Sequence, residues 1–171
     1  MNNTIAREKG KGTGKEGEHE KLQQFVTFTM GTETYGADVL KVHEIIGITD
    51  ITCVPNSLPF MKGVINLRGS VVPVVDLRIK FKMDERDYDA TTVIIIVEVK
   101  HRSIGMIVDT VSDVIDIAVT SIQDTPHFSA SIETDCIKNI GRKDEHLVIM
   151  LDRDKILTAE ELEFIKKKET A

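Results

Sequence analysis

The chain has 171 residues, which suits one ordinary domain or two small ones sharing a core. Much of its apolar content is Val and Ile, residues that are stiff at Cβ and pack well on a pleated surface. A net charge of −6 and an isoelectric point near 5.4 argue against a nucleic-acid or anionic-membrane partner, because phosphate backbones need a basic surface.

Residues 1–21 are polar and rich in Gly, Lys and Glu, so they are expected to form a disordered N-terminal tail. Within it, "GKGTGKE" departs from a phosphate-binding loop at Lys9 and Glu16 and follows no apolar strand. From Gln24 the texture changes. "QFVTFTM" alternates like a strand, "GTET" is a turn, and "YGADVLKVHEIIG" continues to Gly47 as strand or one helical turn. "PNSLPFMKG" offers Asn56 and Ser57 as caps and predicts a short helical turn. Next come "GVINLRGSVVPVVDLR", two apolar runs around an Asn66–Gly69 turn, and the charged loop "KMDERDYDA". "TTVIIIVEV" is the strongest strand; "KHRS" then turns the chain into "IGMIVDTVSDVIDI". "TPHFSASIETD" reads as loop and "HLVIML" as a last strand. Thr158 and Glu161 form a capping box that opens a C-terminal helix, with helix and tail over 158–171.

The order of elements repeats. Gly36 and Gly105 lie 69 residues apart, and at that spacing Val26 meets Ile95, Phe28 meets Val97, Met30 meets Val99, Val39 meets Val108, Val42 meets Val111 and Glu44 meets Asp113. Farther on, Asn66 falls near Asn139 and Asp76 near Asp152. The repeat predicts a mainly β fold of two five-stranded barrels packed together over residues 22–157, divided at about 22–88 and 89–157. Closed ladders leave few sticky edges, and each half alone would bury a marginal core. The seam between them is the expected place for a ligand or partner.

No chemistry stands out. His19, His43, His101, His127 and His146 lack metal-ligand spacing, and no metal or cofactor is expected. His43 and Glu44 are neighbours in a strand and point to opposite faces. The acids from Asp84 to Asp89 lack the glycine and terminal glutamate of a calcium loop. Asp109, Asp113 and Asp116 have no substrate logic nearby, and Ser103, Ser112 and Ser129 sit in no nucleophile elbow. Cys53 and Cys136 form no C-x-x-C pattern and read as reduced thiols. The longest apolar run, Val93–Val97, is too short for a bilayer and there is no apolar signal core, so a cytoplasmic, non-enzymatic protein is expected.

The segments "YGADVLKVHEII", "VPNSLPFMKGVINLRGSVVPVVDLRIKF" and "IGMIVDTVSDVIDI" resemble the CheW-like family of bacterial chemotaxis coupling proteins. The resemblance runs from about Gln24 to the C-terminal helix. It implies two SH3-like barrels and an adaptor without catalysis. The implied partners are the cytoplasmic tips of methyl-accepting chemoreceptors and the regulatory domain of the chemotaxis histidine kinase, with the chain monomeric in isolation and recruited to membrane receptor arrays. A ligand-binding or catalytic use of the seam is the alternative. Given the resemblance, Arg68 is expected on the partner surface, with Gly63, Asn66 and Gly69 shaping its turn. A charge near apolar walls needs a partner, and Glu44 in "VHEII" is the expected one. The resemblance also places Val42, Gly105, Val108 and Val111 on or near the receptor groove, Gly105 through its missing side chain.

Overall fold

In the computed structural model, residues 21–124 and 137–170 are described. The expected tail over 1–21, apart from Lys21, lies outside that range, as do the loop "TPHFSASIETD" and Cys136; Cys53 is exposed and unpaired. Eleven strands are described: β1 (Leu22–Met30), β2 (Glu33–Asp38), β3 (Val42–Gly47), β4 (Met61–Leu67), β5 (Ser70–Asp76), β6 (Val93–Val99), β7 (Arg102–Val108), β8 (Thr110–Ala118), β9 (Ile122–Asp124), β10 (Ile137–Lys143) and β11 (His146–Leu151). Two helices join them, α1 (Leu77–Lys80) and α2 (Ala159–Thr170).

The fold is mainly β with two SH3-like subdomains, but the sheets divide the chain differently from the expected cut near residue 88. One sheet has six strands in the order β8-β1-β2-β11-β10-β9; the other has five, β3-β6-β7-β5-β4. The first hairpin of each repeat therefore joins the later strands of the other repeat. Val42 on β3 pairs with Val97 on β6, and Val111 on β8 pairs with Phe28 on β1. These two pairings are images of each other at the 69-residue spacing. Likewise Val74 of β5 lies parallel to Gly105 of β7, as Met150 of β11 lies parallel to Gly36 of β2. That register sets the second spacing at 76 residues, so Asn139 corresponds to Gly63, and Asn66 corresponds to Arg142 rather than Asn139.

This exchange explains the uninterrupted apolar run of β6 and the burial of both faces of β1. Ile94 and Ile96 point into one barrel with Ile65, Val72, Val74 and Ile107; Ile95, Val97 and Val99 point the other way, into a core shared by both barrels. On β1, Phe25 packs inside its own barrel with Ile117, Val148 and Met150, while Phe28 and Met30 join the shared core. A fully buried side chain of this size contributes roughly 1.5–3 kcal/mol, so the shared core ties the barrels into one body. Phe28 stacks on Tyr35 with ring centroids 5.8 Å apart.

Local signals behave as the residue types require. The capping box forms as expected: Glu161 N–H donates to Thr158 Oγ1 at 3.1 Å, and Thr158 N–H donates to Glu161 Oε1 at 2.9 Å. Helix α2 buries Leu162 and Ile165 in the shared core, and Lys80 Nζ reaches Glu161 Oε1 at 2.8 Å. The "PNSLPF" segment makes turns and no helix. Pro59 pushes Leu58 out of the helical region, and Asn56 takes a left-handed φ of 56°. Helix α1 is capped by Asp76, whose Oδ1 accepts from Arg78 N–H at 2.9 Å. No helix among the described residues is long and apolar enough to cross a membrane.

Candidate docking surface

The β4–β5 hairpin closes through a two-residue loop, with Leu67 opposite Ser70. Arg68 and Gly69 both have left-handed backbone, φ 53° and 86°. That combination matches the twist of the strands, and Asn66 Oδ1 fixes it by accepting from Gly69 N–H at 2.9 Å. Gly69 suits this conformation; Arg68 does not, because its Cβ crowds the following carbonyl. The tip thus carries a local conformational cost to present a guanidinium. Gly63, expected in the turn, instead sits earlier in β4 at a bulge, with φ 146°. There a Cβ would collide with the carbonyl oxygen of Thr52, whose backbone forms a two-bond bridge with Val64.

Arg68 and Glu44 do meet. Arg68 Nη2 donates to Glu44 Oε2 at 2.6 Å, although the segments are 24 residues apart. The Arg68 side chain is 72 % exposed and that of Glu44 is 25 % exposed. Such a pair adds only about 0–1 kcal/mol to stability. Its consequence is positional: the pair spans a cleft of about 510 Å³ whose walls include His43, Val71, Arg102 and Ser103. His43 and Glu44 were expected on opposite faces; β3 has a bulge between Val42 and Glu44, both residues line the cleft, and they differ in partner, with His43 Nε2 3.3 Å from Glu98 Oε1. Val71 is 60 % exposed, an aliphatic knob next to the charged tip.

The four aliphatic-segment residues do not join this cleft. Val108 is 1 % exposed and belongs to the shared core. Gly105 is buried, and a Cβ there would press on Ile94 Cγ2 at 2.8 Å, so its missing side chain serves internal packing rather than an incoming backbone. Both were expected on or near the receptor groove; the fold places both inside the molecule. Val42 and Val111 are half-buried along the seam, each against the shared core. Val71 and Arg102 escaped sequence reasoning, and His43 was considered only beside Glu44, because the three come from strands that only the tertiary fold brings together.

A second constellation lies where the chain crosses between barrels. Arg78 grips Asp109 with two bonds of 2.7 Å, Nε to Oδ1 and Nη2 to Oδ2. Asp109 also accepts from Gly31 N–H at 2.9 Å, and Arg86 Nη1 stands 3.2 Å away. Hydrogen bonds from Arg78 hold the Asp109 carboxyl below its usual range, and the same bonds raise Arg78. Asp76, two residues before Arg78, accepts from the Arg78 backbone N–H and from the Tyr88 hydroxyl at 2.6 Å. Burial and that hydrogen bond push the Tyr88 phenol well above its ordinary value. These groups are mutually satisfied, so the constellation is structural. Asp113 and Asp116 stand apart from it, and among the described residues no three metal-binding side chains converge.

Replacing Arg68 by Asn should separate shape from recognition. Asn tolerates the left-handed backbone, so Arg68→Asn is expected to raise unfolding free energy by about 0.5–1 kcal/mol in urea titration while removing the cation from the cleft.

A sequence model of the CheW-like domain matches residues 24–161. The chain is 40 % identical over 143 residues to the chemotaxis protein CheW of Klebsiella aerogenes, covering 84 % of this chain and 86 % of that one. It is 32 % identical over 142 residues to the chemotaxis protein CheW of Thermotoga maritima, covering 81 % and 91 %. The crystal structure of the scaffolding protein TtCheW from Thermoanaerobacter tengcongensis superposes with a TM-score of 0.77 at 32 % identity, covering 82 % of this chain and 96 % of that one. The exchanged-hairpin barrels and the Asn66–Gly69 tip thus sit in a chain that belongs to the CheW-like domain family of chemotaxis proteins.

Proposed function

We propose that the protein is a cytoplasmic adaptor that couples the tips of chemoreceptors to the regulatory domain of the chemotaxis histidine kinase, within membrane receptor arrays. The observation that carries this reading is the Arg68–Glu44 cleft: an exposed guanidinium held at conformational cost beside an exposed aliphatic. A receptor tip is a helical hairpin. One face of a helix can set an aliphatic against Val71 and a carboxylate against Arg68 and Arg102. The half-buried Val42 and Val111 offer a further apolar strip along the seam. The kinase domain is expected on a different surface, so that one chain holds both partners.

The test is calorimetric titration of the chain with an isolated receptor hairpin tip and, separately, with the kinase regulatory domain. Both should bind. Arg68→Ala should weaken the receptor tip by roughly tenfold or more, as expected for a charge-assisted interface bond, and leave kinase binding unchanged. The swap Arg68→Glu with Glu44→Arg should recover more receptor binding than either single change. Failure of the unmutated chain to bind either partner would remove the reading.

A further inference from the structure

The two barrels share one strand plan, so every side chain around the Arg68 cleft has a counterpart on the other barrel. The registers fix the correspondence: the loop Arg68–Gly69 matches Asp144–Glu145, since Leu67 opposes Ser70 as Lys143 opposes His146. The left-handed backbone is retained at the first loop residue, whereas Glu145 does not share that of Gly69. Arg68 has φ 53° and Asp144 has φ 57°. Val71 is 60 % exposed and its counterpart Leu147 is 57 % exposed. The charges are inverted. Arg68 becomes Asp144, Arg102 becomes Glu33, Glu44 becomes Asp113, and Leu67 becomes Lys143. One face sets two cations against a single carboxylate; the other sets four carboxylates, Asp144, Glu33, Asp113 and the Glu145 that replaces Gly69, against a single lysine.

We propose that Glu33 and Asp144 are specificity-determining residues, which bar the receptor segment docking at the Arg68 cleft from the equivalent face of the other barrel. The proposal rests on the docking reading above. A scaffold with an internal two-fold plan offers a ligand two related faces, each with an exposed aliphatic, Val71 or Leu147. Affinity alone does not choose between them; discrimination needs a repulsive element on the wrong one. A receptor carboxylate that meets Arg68 on one barrel would meet Asp144 on the other, where like charges oppose docking. Each chain then takes one receptor tip in one orientation, which an adaptor needs if its other surfaces are to face the kinase. Both residues are exposed, so the discrimination is screened by salt.

The test titrates the isolated receptor tip into the full chain, with stoichiometry from calorimetry and docking position from the methyl resonances of Val71 and Leu147. Circular dichroism confirms that each variant is folded. The unmutated chain should bind one tip, shifting Val71 and leaving Leu147 still. E33R/D144R should bind a second tip and shift Leu147 as well. R68A/E33R/D144R should bind one tip, at Leu147 alone. A Leu147 shift in the unmutated chain at low salt would overturn the proposal, as would E33R/D144R remaining at one tip with Leu147 silent. Absence of any tip binding by the unmutated chain would instead remove the docking reading, and the proposal with it.

Discussion

Asp109→Ala is expected to be among the most damaging single substitutions in this fold, costing about 3–5 kcal/mol of unfolding free energy, or roughly 6–20 °C in Tm. The Asp109 side chain is 9 % exposed and that of Arg78 is 15 % exposed. Removing the carboxylate leaves Arg78 enclosed without its bidentate partner and strips an acceptor from Gly31 N–H. Arg78→Ala should cost less, because Asp109 keeps both Gly31 N–H and Arg86. The order of the two variants therefore separates an enclosed charge network from a simple pair. The network also sets an acid limit. Asp109 has a folded pKa below its unfolded value of about 3.9. Its contribution is fully present above that value and is lost as pH falls through the lower folded one. Thermal melts of the unmutated chain should lose stability on acidification below about pH 4 more steeply than melts of Asp109→Ala.

Gly63→Ala is the second large effect. Gly63 has φ 146°, and an added Cβ would strike the Thr52 carbonyl oxygen, a backbone atom that cannot rotate away. Either β4 or the Thr52 segment must move, breaking two bonds of 2.9 Å between Thr52 and Val64. Backbone strain of about 1–3 kcal/mol and two lost bonds of about 1 kcal/mol each predict a loss of roughly 3–5 kcal/mol in urea titration. The same strand ends at the Arg68 tip, so receptor-tip affinity should fall with stability. Arg68→Asn should lose affinity without losing stability. A Gly63→Ala protein with unchanged stability would show that the bridge at Thr52 is dispensable.

Much of this fold was legible because its signals are local. A turn with Asn66 and Gly69, a capping box at Thr158 and the strand-period runs each depend on residues a few positions apart. The repeat was legible as well, and the registers match its 69-residue spacing. The exchange of hairpins was not, because a repeat in sequence says which strands are alike and nothing about which ones pair. Gly105 and Val108 were placed on or near the groove by the family resemblance, and pairing of their strand with β5 and β6 buries both. Strand β10 was hidden by its charged end, since Lys138 and Arg142 face solvent while Gly141 faces inward. The Arg68–Glu44 pair was expected only given the family resemblance, because an arginine at a turn, here 72 % exposed, is otherwise read as solvated. Arg78–Asp109 was not, because Asp76 stands nearer in sequence and its carboxylate turned out to serve a cap and a tyrosine.

The central claim is that this chain transmits receptor state to a kinase by holding both, with no reaction of its own. Reconstitution of receptor, histidine kinase and this protein, with kinase autophosphorylation followed over time, tests it most directly. The account predicts that receptors control the phosphorylation rate only when the protein is present and that Arg68→Ala abolishes the control. Equal control of the kinase by receptors with the protein left out would contradict it.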